Sequence, residues 1–361
     1  MLSTQLLASD LQQRQSDLKQ LQSQINKQQS DLQNTSKQRE KLISLLKKDE
    51  KAIASAAKKV NGTQTSLAQT EKELTKLHQR QQTLSKLKKR QQESLSNQLA
   101  SAYLAGNHDY SKMLLNQQNP ATIERLLTYY QYLNNARMAS INKLQDTIKE
   151  LDQITQEQVS QKDRLNKLIL DQQQQAQQLT LEQGQRQNTL VLLQKTLNSR
   201  GAKLEQLQIE QASLKRVVEQ AIATMKNSPK MNGLSSKYKL SWPTKGRIES
   251  GFGSQRSGQV KWKGVTVAAP EGQVITAIAP GKVIYADWLR GFGMVLVVDH
   301  GKGYMSLYGH AQTLLKGPGD LVSKGESVAL VGRSGGQTEA GLYFEVRHKG
   351  QAVDPARYCK R

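Results

Sequence analysis

The residue that asks most of its neighbours is His310, at the end of the run Tyr308-Gly309-His310. An imidazole in a glycine-rich stretch is a candidate zinc ligand. A structural zinc site takes four Cys, His, Asp or Glu ligands, and a catalytic one takes three plus water. His310 is therefore useful to a metal only if other donors converge on it. The remaining histidines are His78, His108, His300 and His348, and the one cysteine, Cys359, excludes an internal disulfide and reads as a partly exposed thiol without a role. Further on, Leu342-Tyr343-Phe344-Glu345-Val346-Arg347 alternates apolar and polar residues, so that Tyr343, Glu345 and Arg347 share one face of a strand.

The elements that must position these groups fall into two regimes. Of 361 residues, 36% are hydrophobic and 5% aromatic, too few to fill one large core. The deficit lies in the first 230 or so residues, rich in Gln, Lys, Leu and Ser, whereas most of the glycine follows Asn232. The formal charge is +22, with 16 basic and 9 acidic residues from Leu240 onward. Such a field favours any polyanion, including an acidic cell-wall polymer. Lys and Arg recur singly among Gln and Ser, without a compact aromatic-interleaved patch, so nucleic acid is not expected as a partner. No stretch reaches the roughly 18 to 20 apolar residues that span a bilayer. The N-terminus carries no charged-then-apolar signal pattern, which fits either a cytoplasmic protein or a chain beginning after a removed signal.

Leu7, Leu11, Leu18, Leu21, Ile25 and Leu32 fall in one helical stripe, resumed by Val60, Leu67, Leu74, Leu77, Leu84 and Leu87. The residues between are almost all polar, so only another helix lying along the stripe satisfies it, a coiled-coil pattern. A second stripe runs through Ile141, Leu144, Ile148, Leu151, Leu165, Leu168 and Leu179, and no proline interrupts Ala121 to Ser228. An antiparallel hairpin over 1–183 is the economical arrangement; a dimeric rod also satisfies the pattern. Between the arms, Tyr103, Leu104, Tyr110, Met113 and Leu114 precede Asn119-Pro120, and Leu127, Tyr129, Tyr130, Tyr132 and Leu133 follow. Pro120 can end one helix and begin the next. Short tip helices near 100–133 are predicted, with more aromatic and apolar surface than a turn needs, which suits protein docking. Residues 184–239 read as a helical segment, periodic through Leu190, Leu193, Leu197, Leu204, Leu207, Leu214, Val218 and Ile222, and a linker, with Gly184 and Gly201 as breaks.

After Trp242-Pro243 the pattern becomes short strands and turns: 274–278, 282–286, 294–298, 304–308, 328–331 and 342–346. The fold class is α+β, a long antiparallel coiled-coil hairpin with a helical tip followed by a compact antiparallel β domain over 240–361. Five ordered motifs in that domain, Ala268-Ala269-Pro270-Glu271-Gly272, Ala279-Pro280-Gly281-Lys282-Val283, Tyr308-Gly309-His310, Gly332-Arg333-Ser334-Gly335-Gly336 and Leu342-Tyr343-Phe344-Glu345-Val346, together resemble the LytM-type M23 zinc metallopeptidases. Members of that family cut peptide cross-links of the bacterial cell wall. The resemblance implies that Trp262 and Thr266 stand where the family has a His and an Asp ligand, and Gly341 and Tyr343 where it has two histidines. Indole, glycine and neutral oxygens are poor replacements for imidazole and carboxylate. A fold kept without catalysis is expected, with no metal and no cofactor. By the same resemblance the Tyr343 face lines the family's groove, bringing Tyr343, Glu345, Arg347 and His310 together with Lys263 and Thr266 as a receptor for a partner segment.

The joined arrangement, coiled-coil hairpin plus degenerate LytM domain, resembles a family of murein hydrolase activators. That resemblance implies a periplasmic location at the division septum and activation of N-acetylmuramoyl-L-alanine amidases during daughter-cell separation. It also implies recruitment of the tip, through Tyr103, Tyr110, Met113, Leu114, Leu127, Tyr130 and Leu133, by the periplasmic region of FtsX within the FtsEX complex. An always-open groove would act indiscriminately, so the helical segment before the β domain is expected to cover it at rest. The alternative is a non-activating peptidoglycan-binding or scaffold protein that makes a weak polymer contact.

Overall fold

A computed structural model describes residues 2–105, 120–196, 200–225, 233–234, 240–257 and 260–360; the tip positions Tyr110, Met113 and Leu114 fall outside this set. Helices α1 (Leu2–Ala105), α2 (Pro120–Thr196) and α3 (Arg200–Met225) come first. α1 and α2 are a tightly packed pair. Pro120 stands at the first position of α2, where its missing N–H would have no partner in the helix anyway. The chain forms two compact units, Gly62–Gln173 and Met1–Asn61 with Gln174–Arg361.

In the first of these units the leucine stripe is only partly closed. Leu84 and Ile154 are buried, and across the pair Arg80 Nη2 meets Glu150 Oε1 at 2.6 Å. Tyr103, Leu104, Tyr129, Tyr132 and Leu133 are exposed, Tyr103 at 87%.

In the second unit α1 and α2 run antiparallel, since Asp49 bonds Thr189 while Glu50 pairs with Arg186. Gly184 does not interrupt α2, contrary to the sequence reading. A helix-interior glycine costs about 1 kcal/mol, and here burial of Arg186, Thr189, Leu190 and Leu193 just beyond it offsets that. α3 instead begins at Arg200, with Gly201 in its first turn.

Beside the short strands β1 (Leu240–Ser241), β3 (Gln255–Ser257) and β4 (Val260–Lys261), the β domain is built on antiparallel strands β2 (Arg247–Ser250), β5 (Val265–Ala268), β7 (Gly281–Leu289), β8 (Gly293–Gly301), β9 (Tyr304–Leu314), β10 (Leu321–Val322) and β12 (Gly341–His348). Their order in the sheet is β10-β7-β8-β9-β12-β5-β2, with β11 (Ser327–Val331) pairing both β9 and β6 (Val274–Thr276). β8 and β12 are buried on both faces, as near-continuous apolar strands require. On one face Leu296, Val298, Tyr308, Leu342, Phe344 and Val346 pack against Ile275, Val328 and Val331; Cys359 is buried in this core rather than partly exposed. On the other, Leu289, Val295, Val297, Met305, Leu307 and Tyr343 pack against Leu214, Val217, Val218 and Ala221 of α3. Those four helix residues are spaced i, i+3, i+4 and i+7, one stripe of a helix, and each fully buried Leu or Val contributes roughly 1.5–3 kcal/mol.

Two glycines let α3 approach so closely. A Cβ on Gly291 (φ +77) would lie 2.1 Å from Glu210 Cδ, and one on Gly350 (φ +80) would lie 2.8 Å from Ile222 Cδ1. α3 therefore crosses the sheet from the β7–β8 turn to the turn after β12.

Candidate partner-binding face

β12 positions the central side chains. Its alternation puts Tyr343, Glu345 and Arg347 on the face toward α3, opposite Gly309, Leu307 and Met305 of β9. All three are buried, Glu345 completely. Tyr343 Oη donates to Glu345 Oε2 at 3.2 Å, Arg347 Nη2 lies 2.7 Å from Glu345 Oε1 in an ion pair, and Arg347 Nη1 donates to the Gly350 carbonyl at 3.0 Å. Burial pushes the Glu345 carboxyl above its usual range against the pull of Arg347. Burial, reinforced by the Glu345 charge, pushes the Tyr343 phenol well up. Tyr343 is thus held as a neutral donor.

An aromatic wall surrounds it. The Tyr343 ring lies 5.9 Å from Trp262, 5.2 Å from Phe292 and 5.9 Å from His310. His310 stacks nearly parallel to Phe292 and adopts φ +60 at the end of the Tyr-Gly-His run. Its Nδ1 donates to the Ser334 carbonyl at 2.9 Å, and burial lowers its pKa to about 4. It is a neutral, buried imidazole fixed in one tautomer. Thr266 pairs with Tyr343 across β5 and β12 and is half-buried, while Lys263 is exposed at the rim.

α3 brings a charge of its own. Glu210, buried, accepts from Arg256 Nη2 at 3.1 Å, and the Arg256 guanidinium lies 4.5 Å over the Trp262 ring. Sequence reading missed both residues, because the pairing links positions 46 apart and neither sits in a motif. Of the positions anticipated for the groove, the fold brings Tyr343, Glu345, Arg347, His310 and Thr266 to one region, with Lys263 at its edge. In the tip set, Tyr103, Leu127, Tyr130 and Leu133 are exposed on α1 and α2.

The residues do not suit zinc. The positions to which the sequence resemblance assigns zinc ligands hold Trp262, Thr266, Gly341 and Tyr343, and among the described residues no group of three or more His, Cys, Asp or Glu side chains could hold a metal ion. Gly341 has no donor side chain, and its amide bonds the Gly332 carbonyl at 2.9 Å. This is an M23-like fold lacking the zinc ligands.

Residues 260–355 match the model of peptidase family M23. Beyond that domain, the chain is 34% identical over 304 residues to the murein hydrolase activator EnvC of Escherichia coli K12, covering 74% of this chain and 73% of that protein. The chain belongs to the EnvC family. The alignment to EnvC is too long to lie within the β domain alone, so family membership includes helical sequence. The murein hydrolase activator NlpD of the same organism is 39% identical over 118 residues, 32% of this chain and 30% of NlpD. A crystal structure of a zinc containing peptidase from Vibrio cholerae is 30% identical over 32% of this chain and 39% of that one, with a TM-score of 0.31.

Proposed function

We propose that this EnvC-family protein is a non-catalytic activator of periplasmic N-acetylmuramoyl-L-alanine amidases in septal peptidoglycan splitting and daughter-cell separation. The Tyr343 face of the β domain receives a regulatory helix of the amidase and draws it from the amidase's active site. α3 holds that face at rest. Recruitment of the exposed tip, around Tyr103, Leu127, Tyr130 and Leu133, by the periplasmic region of FtsX within FtsEX shifts the population toward an open state.

The observation that carries this reading is the docking of the Leu214-Val217-Val218-Ala221 stripe on the sheet face that contains Tyr343. A face suited to one amphipathic helix is suited to another of the same chemistry, and a resident helix at high effective concentration excludes a competitor until it is released. The replaced zinc-ligand positions support a binding role for the domain in place of hydrolysis.

The test is an affinity measurement between the full chain and purified amidases. Weakening α3 with Leu214→Lys is expected to raise affinity at least tenfold, and adding Tyr343→Ala to that variant is expected to abolish the gain. Equal affinity for parent and Leu214→Lys would overturn autoinhibition. Peptidoglycan binding with no amidase binding by any form would favour the tether instead.

A further inference from the structure

A second carboxylate is buried in the β domain by the helices, and it sits in a built receptor. Glu50 of α1 is 1% exposed. Its two oxygens accept from Gly335 N at 2.9 and 2.8 Å, from Gly336 N at 3.3 Å and from Trp288 Nε1 at 2.6 Å. Gly335 and Gly336 have φ of +79 and +82, so that adjacent amides point into one concavity, the backbone arrangement that binds anions. The geometry needs glycine at 335, where a Cβ would lie 2.4 Å from Gly293 N and 2.7 Å from the Phe292 carbonyl carbon.

Ownership of the donors is what makes the site more than a packing contact. Gly335 N, Gly336 N and Trp288 Nε1 all belong to the β domain. The occupant and its counterion, Arg186 of α2 at 3.1 Å, both belong to the helices. Withdrawal of the α1–α2 base would carry Glu50 and Arg186 away as a pair, leaving neither charge stranded in the β domain. Three converging N–H donors would remain, a concavity that favours the next anion to arrive. The receptor adjoins the partner-binding face: the Ser334 carbonyl beside it accepts from His310, and the Gly291–Gly293 turn behind it is the one that Glu210 of α3 reaches. A cavity of about 90 Å³, lined in part by Glu50, Arg186, Glu271, Arg333 and Ser334, lies beside Glu50.

We propose that Gly335 N, Gly336 N and Trp288 Nε1 form a carboxylate-binding site, filled by Glu50 in the resting chain and taken by a ligand carboxylate when the helices withdraw. The exchange rests on the autoinhibition reading above; the receptor itself does not. Because the receptor adjoins the partner-binding face, the carboxylate is assigned to an acidic side chain of the partner protein, and capture of a peptidoglycan stem peptide is a contrary outcome of the test.

The probe is sodium acetate, added to full-length Glu50→Ala protein labelled with 15N-glycine, with sodium chloride at equal ionic strength as the control. Saturable shifts of the Gly335 and Gly336 amides in Glu50→Ala, and none in the parent, are expected; a dispersed spectrum without an acetate-specific shift would overturn the receptor. If Glu50→Ala does not fold, the same titration on Glu50→Ser, whose short side chain also leaves the receptor empty, decides in the same way. Competition tests the source: displacement of acetate by amidase is expected, and displacement by a soluble stem peptide alone, or by neither, overturns the partner assignment. Amidase activation by Glu50→Ala is read in parallel. A gain in activation without acetate binding sinks the receptor and leaves autoinhibition standing; acetate binding without a gain sinks the exchange and leaves the receptor.

Discussion

His310 is kept neutral by its surroundings, and that has a measurable consequence. Burial lowers its pKa and that of His300 to about 4, against about 6.5 in an unfolded chain. Between these values the unfolded state binds protons that the folded state refuses, so stability is present above pH 6.5 and is lost as the pH falls toward 4, by on the order of 3 kcal/mol per histidine. Glu345, whose pKa is raised, pulls the other way, so the informative quantity is a difference between variant and parent. His310→Asn, which tolerates the positive φ, is expected to flatten the decline in urea-unfolding free energy between pH 6.5 and 4; an unchanged slope would show that His310 is charged in the fold. The ion pair on β12 makes a second prediction. Arg347→Ala strands the buried Glu345 carboxylate and is expected to destabilise by about 3–5 kcal/mol in the same assay, whereas Lys263→Ala, at the exposed rim, is expected to stay within about 0.5 kcal/mol.

Among the elements, α3 holds the largest share of what was and was not readable in the chain. Its stripe through Leu214 and Val218 was legible from spacing alone, and so were β7, β8, β9, β11 and β12, because their apolar, β-branched or aromatic runs are bounded by turns that contain glycine. The face on which a stripe docks is not encoded in its period, since any apolar surface of matching length would serve. Gly184 misled because a local penalty near 1 kcal/mol is smaller than the burial available next to it. Glu50 was invisible for a related reason. It lies among Lys47, Lys48 and Lys51 and looks like one more solvated helix charge, while its partners are backbone amides some 285 residues away. The denser apolar spacing around it, Ile43, Leu46, Ile53, Ala54 and Ala57, was the available signal. For α3 itself, Val218→Ala removes buried methyls facing the sheet and is expected to speed hydrogen exchange across 205–223 well before the β domain exchanges. Equal protection in variant and parent would mean that the stripe does not hold the helix down.

For the whole molecule, two compact units divide the labour that the account assigns. The unit Gly62–Gln173 exposes Tyr129, Tyr132 and Leu133, and placing a negative charge there, as in Tyr132→Glu, is expected to weaken binding to the periplasmic region of FtsX at least tenfold with no loss of thermal stability. A matching loss of stability would make these residues structural. The other unit contains both the face proposed to bind the partner and the helix packed on it, so the central claim is tested by amidase activity itself. The measurement is release of dye-labelled peptidoglycan by purified amidase, with the full-length parent, Leu214→Lys, or Leu214→Lys with Tyr343→Ala. Low release with the parent, strong release with Leu214→Lys and low release again with the double variant is the predicted result; strong release with the parent, or no difference among the three, would contradict it.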